Sequence, residues 1–231
     1  MKLFEKLIKR SQRELKFLHK REIYPLDSFR IKNFYAIQIL SIIENHAKDR
    51  KIKIEARKNL IINCVTATEV YFKDIVKVLP EFPKVKENKE GIRDLLKEKI
   101  SLWEAYLLFK EKDLRIGDVI ASYFSFQSLE EIDRIIGKIL NLKFLDSIEN
   151  HKVNLDKEDR EYYGMKTLCL KTDLPKWRNY LAEIFNLRHD FVHHVSFKDI
   201  IGFQRLGILW EHLDAFITVV DDFILQYVPA E

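Results

Sequence analysis

Across 231 residues the chain carries six glycines and five prolines, and that scarcity restricts its fold more than any other feature. Sandwiches, barrels and nucleotide-binding sheets need a tight turn every ~10 residues, built largely on Gly, Pro or Asn, and phosphate loops need glycine runs. Helices need far fewer such residues, so the sequence predicts an all-α protein. Hydrophobic residues make up 47% of the chain, with 16 Phe, 9 Tyr and 3 Trp among them, which excludes a disordered chain and supplies a full core. The length allows one large or two small domains. Cys64 and Cys169 lie far apart and match no metal or disulfide spacing, which suits a reducing cytoplasm. Apolar runs fall short of the ~18 residues of a membrane span, and the N-terminus lacks a signal-peptide apolar region. The expectation is a soluble cytoplasmic protein with no membrane partner.

The net charge of +4 is unevenly placed. Residues 1–22 hold eight Lys or Arg against Glu5, Glu14 and Glu22, and Leu3, Phe4, Leu7, Ile8, Leu15 and Leu18 recur there at helical spacing. This reads as a basic amphipathic helix whose lysine face is solvated or in contact with an RNA backbone or a membrane surface, with Lys6, Arg10 and Arg13 as candidate RNA contacts.

Apolar steps of three and four predict a helix over 29–50, a longer and more central one over 59–79, and another from Ile92 through Trp103, Tyr106 and Leu107 that ends before Gly117. Pro80 and Pro83 stop the second, and the charged run 84–90 reads as an exposed connection. Ser128 with Glu131 offers a capping box for a helix through Leu140, extending or restarting to Ile148. Residues 146–173 lack sustained periodicity and read as a long loop or an excursion with short local structure, the most mobile part of the chain. Asp173 is placed to cap the next helix, with Trp177, Tyr180, Leu181, Ile184 and Phe185 on its buried face. The last helix spans 203–227, with Leu206, Leu209, Leu213, Phe216, Val220, Phe223 and Ile224 inward and Glu211, Asp214, Thr218, Asp221 and Asp222 outward.

Chemistry concentrates in Arg188-His189-Asp190-Phe191-Val192-His193-His194, which holds three of the seven histidines. At ~100° per residue Arg188 falls in the middle of the apolar stripe defined by Trp177, Leu181, Ile184, Phe185, Phe191 and Val192. A guanidinium cannot discard its charge there, so it must snorkel, pair with a buried carboxylate, or line a cleft that receives an anion. His193 leaves the same helix about 140° away, so the two meet only if the helix ends or bends, or if a second subunit completes the site.

The run Asn186-Leu187-Arg188-His189-Asp190-Phe191-Val192-His193 resembles the signature of the HEPN superfamily, an arginine followed after four to six residues by a histidine. Spacing alone is weak: 13 arginines and seven histidines give about one such pair by chance, and Arg13 with His19 and Arg205 with His212 also satisfy it. Context separates them, because only Arg188 closes a strongly amphipathic helix just before the final long one. The resemblance covers about residues 59–227. It implies a HEPN-like antiparallel helical bundle over 56–231, with additional N-terminal helices over 1–55.

It also implies a metal-independent endoribonuclease that needs no cofactor. The RNA 2′-hydroxyl would be the nucleophile, Arg188 would hold the scissile phosphate, and His193 would transfer the proton to give a 2′,3′-cyclic phosphate. Glu69 is the best match for the acidic residue that such proteins carry on the long early helix; Lys73 at i+4 offers it an ion pair instead. Asp190 and His189 stand where the family often has small polar residues, and the imidazole at 189 leaves open which histidine transfers the proton; His194 also satisfies the spacing. The partners implied are RNA, a second copy facing the first across a twofold axis that holds the active site, and a cognate antitoxin or regulatory protein in a toxin or antiviral-defence setting.

Two rival readings use the same letters. His189 and His193, at i and i+4, have the geometry of a zinc pair, for which His194, Glu211 or His212 would have to supply a third ligand. Alternatively, the chain is a catalytically silent module that binds protein or RNA.

Overall fold

The computed structural model describes residues 25–101, 115–193 and 201–228. Four long helices form its frame. The first, α1 (Pro25–His46), begins on a proline, whose missing N–H would have no partner in a first turn. The Asp49 carboxylate then accepts the Lys51 N–H at 2.8 Å and starts α2 (Arg50–Val78). Pro80 cannot continue the ladder, and the chain tightens into a 3-10 turn at Leu79–Glu81. A side layer follows: α3 (Pro83–Lys86), α4 (Lys89–Lys99), α5 (Ile116–Tyr123), α6 (Leu129–Leu140) and α7 (Phe144–Glu149). A short antiparallel ribbon, β1 (Val153–Asn154) and β2 (Thr167–Leu168), sets Val153 opposite Leu168 and encloses α8 (Lys157–Tyr163). After α9 (Leu170–Asp173) come the last long helices, α10 (Trp177–His193) and α11 (Phe203–Leu225).

Side-chain pairs fix the directions. Glu44 near the end of α1 grips Arg57 near the start of α2, while Phe29 and Tyr71 meet at the other end, so α1 and α2 are antiparallel. Lys58 lies 5.7 Å from the Phe191 ring, and Phe72 and Trp177 both pack on Phe216, so α10 runs antiparallel to α2. Tyr71 bonds Asp221 and Arg57 bonds the Ile201 carbonyl, so α11 runs parallel to α2. The frame is an up-down bundle of the kind predicted, with Phe29, Phe34, Ile37 and Leu40 of α1 in the same core as α2, α10 and α11.

Several sequence expectations need correction. The second long helix starts at Arg50 rather than Asn59, because its charged opening turns carry no apolar stripe. The 84–90 connection contains α3, which buries Val85, and Asn88, whose Oδ1 accepts the Gly91 N–H to cap α4. The helix expected through Leu107 ends at Lys99, where Ile100 is extended; Trp103, Tyr106 and Leu107 lie outside the described residues. Gly117, expected beyond a helix, sits inside α5.

The Ser128 cap forms as predicted, accepting the Glu131 N–H, and Asn141 at φ 56° turns α6 back into the separate α7. Residues 146–173 form the excursion with short local structure rather than the long loop: the ribbon, α8 and α9 are pinned by buried Val153, Leu155, Tyr162, Leu168 and Leu170. Asp173 does not cap α10; it ends α9 and accepts the Cys169 N–H at 2.8 Å. On α11, Asp214 and Thr218 face inward, where Arg30 reaches both.

Candidate active site

The motif occupies the last two turns of α10. Leu181, Ile184, Phe185 and Leu187 bury that helix against α2 and α11, and the periodicity that buries them carries Arg188 into the same seam, half-buried. Its Nε is closed off from solvent without a hydrogen-bond partner, and the guanidinium makes no ion pair among the described residues. Leaving such a donor unsatisfied costs about 1–3 kcal/mol. Every other arginine at least half-buried among the described residues holds a carboxylate: Arg30 with Asp159, Arg57 with Glu44, Arg134 with Glu131, Arg178 with Glu149, and Arg205 with Glu183.

The competing Arg205 and His212 pair has the opposite character. Arg205 is neutralised by Glu183 and lies over the Tyr180 ring at 4.6 Å. His212 is buried, its Nδ1 2.8 Å from the Ile208 carbonyl, to which it can only donate. Burial lowers its pKa from the ordinary histidine value, which favours the neutral ring. The chance match is structural; Arg13 and His19 lie outside the described residues.

His189 and His193 are both exposed, their ring centroids 4.7 Å apart at an interplanar angle of 46°. Because α10 stays helical through His193, Arg188 and His193 leave its axis about 140° apart within one chain. Asp190 is half-buried on the turn between them, and His194 lies outside the described residues, as do Lys6, Arg10 and Arg13.

Glu69 is held elsewhere. Its carboxylate takes Lys73 Nζ at 3.0 Å and the Gln127 amide at 2.7 Å. With Lys58 level with Phe191, the antiparallel register puts Arg188 beside Ile61 and Glu69 ~12 Å further along α2. No group of three or more His, Cys, Asp or Glu side chains converges among the described residues. In particular His212 packs on Tyr180 at 4.2 Å, ~13 Å along α10 from His189, and so cannot serve as the third ligand of a zinc pair there.

A basic neighbourhood went unread in the sequence. Lys48, Arg50, Lys51, Lys53, Arg57 and Lys58 outnumber Asp49 and Glu55, and the Lys58–Phe191 and Arg57–Ile201 contacts set this stretch at the motif's end of the bundle. Glu44 neutralises Arg57, whereas Lys48, Arg50 and Lys51 stand exposed. The charge excess was visible in the sequence; its position beside Arg188 required the register.

The site is thus one helix of an almost entirely helical bundle that carries a half-buried guanidinium with no ion pair among the described residues and two exposed imidazoles. The RiboL-PSP-HEPN family model matches residues 27–226, and the chain belongs to this HEPN family. No curated protein and no solved structure matched it. Family membership supports a ribonuclease or toxin role in general terms. Among the described residues no helix is long and apolar enough to cross a membrane.

Proposed function

We propose that the protein is a metal-independent endoribonuclease that works as a homodimer. The observation that carries this reading is the Arg188 guanidinium, half-buried and without a carboxylate although every comparably buried arginine among the described residues has one. A phosphodiester supplies the missing acceptor: its non-bridging oxygens take the guanidinium N–H groups in a charge-assisted fork, which tightens as negative charge builds in the transition state. His193 takes the proton of the 2′-hydroxyl as that oxygen attacks phosphorus. The bond to the 5′-oxygen breaks, the leaving oxygen gains a proton, and a 2′,3′-cyclic phosphate and a 5′-hydroxyl result. DNA, lacking the nucleophile, is inert. His194 is the alternative proton carrier.

The 140° divergence supports dimerisation, because a second α10 brought close by a twofold axis would supply a histidine where the first chain points none. Ile39, Ile42, Ile52 and Val192, exposed by 58%, 61%, 52% and 43%, give that end of the bundle apolar surface for a second copy to cover. Glu69, held by Lys73 and Gln127, supports the packing of α2 in this reading, so Glu69→Gln lowers cleavage far less than His193→Ala. Lys6, Arg10 and Arg13 add salt-dependent affinity for RNA. A toxin or defence setting with a cognate antitoxin as restraint rests on the family resemblance, and a cytoplasmic location on two cysteines without disulfide spacing.

The test is incubation of the chain with RNA and with DNA in chelator, beside Arg188→Ala and His193→Ala. RNA-only cleavage lost in both variants supports the reading. A folded wild-type protein that cuts neither polymer overturns it in favour of a silent binding module.

A further inference from the structure

We propose that His189 and His193 together form a two-imidazole site for one transition-metal ion, Zn2+, Cu2+ or Ni2+, whose occupancy switches the motif off. The binding half stands on geometry alone; the switching half rests on the ribonuclease reading above. The two residues lie one turn apart on one face of α10, and their rings are already 4.7 Å apart. An ion can therefore bridge a nitrogen from each with the backbone fixed in advance by the helix. Both rings are exposed, so the ion enters without opening the fold and keeps water in its remaining positions.

Imidazole nitrogen favours zinc, copper and nickel over magnesium. With no third His, Cys, Asp or Glu converging there among the described residues, the site differs from a four-ligand structural zinc and suits reversible occupancy. Coordination commits the lone pair that His193 needs to accept a proton from the 2′-hydroxyl. The bound ion and the proton compete for the same nitrogen.

The experiment uses the untagged full chain. Copper binding is followed by its visible absorption and zinc binding by competition with a chromogenic chelator, for wild type, His189→Ala, His193→Ala and the double variant. RNA cleavage is measured in parallel. The expected result is one ion per chain, affinity at least ~10-fold weaker in each single variant and lost in the double variant. Zinc suppresses wild-type cleavage, chelator restores it, and magnesium does neither. His189→Ala, compared with its own metal-free rate, needs ~10-fold more zinc for the same suppression.

Wild-type binding no tighter than that of the double variant overturns the site. Full occupancy with an unchanged cleavage rate overturns the switch. If the chain cuts no RNA even in chelator, the ribonuclease reading fails, and the metal titrations, which use no RNA, still decide the site.

Discussion

At the scale of single residues, Arg188 and Arg30 are opposites. Arg30 is buried between Asp159 and Asp214 and donates to Thr218 at 3.0 Å, so Arg30→Met leaves two buried carboxylates without their cation. That change should cost about 3–5 kcal/mol in urea unfolding, or prevent folding. Arg188→Met keeps the apolar stem and removes an N–H that has no acceptor. Its unfolding free energy should be unchanged or raised by about 1 kcal/mol, while RNA cleavage falls by at least ~100-fold. A strongly destabilised Arg188→Met would instead show a structural arginine.

Asp221 offers a pH readout: burial lifts its pKa to about 6 from an ordinary 3.8, and the Tyr71 hydroxyl, donating at 3.0 Å, offsets part of the rise. Between those values the folded chain holds a proton that the unfolded chain has released. The contribution to stability is therefore present at low pH and lost as pH rises through about 6. Asp221→Asn keeps an oxygen for Tyr71 without the charge. It should unfold at higher urea at pH 7.5, by about 2 kcal/mol, with the gain gone by pH ~4. None of this buried polar set was legible in the sequence. Asp214, Thr218 and Asp221 continue the polar strip of an amphipathic helix, and only the fold reveals that Arg30 and Tyr71 cover that strip.

At the scale of elements, legibility followed the length of the apolar stripe. Trp177, Leu181 and Ile184 on α10, and Leu206 through Ile224 on α11, repeat often enough to announce a buried face, and all are buried. The ribbon and α8 are anchored by isolated apolar residues at Val153, Leu155, Tyr162 and Leu168, which make no period, so the sequence does not separate a long loop from short local structure there. The eight-residue α5 is too short to show one. It is placed by Gly117, where an added Cβ would stand 2.3 Å from the Lys77 carbonyl oxygen and 2.5 Å from that of Val76. Those atoms belong to the closing turn of α2 and cannot rotate aside as a side chain would. Gly117→Ala should therefore cost about 3 kcal/mol in chemical denaturation, despite the better helix propensity of alanine. An unchanged midpoint would mean that α5 can lift from α2 at little cost.

At the scale of the whole molecule, the sequence disclosed the motif and the divergence of its two side chains, but a second copy has no signature in one chain's periodicity. The dimer can be tested through that divergence. If each active site takes Arg188 from one subunit and His193 from the other, homodimers of Arg188→Ala and of His193→Ala are both dead, since every site lacks one group. In a mixed dimer the two losses fall together in one site, and the other site keeps both side chains. Random re-pairing of equal amounts makes half the dimers mixed, with one working site of two, so the mixture should regain ~25% of wild-type cleavage. Sites assembled within a single chain predict no recovery, because no subunit in the mixture carries both residues. Mixing the two inactive variants after partial unfolding and refolding, then measuring cleavage against protein concentration, separates these outcomes. Recovery near a quarter that fades on dilution places the working site across the twofold axis, whereas a mixture as inactive as its parts removes the shared site from the proposal.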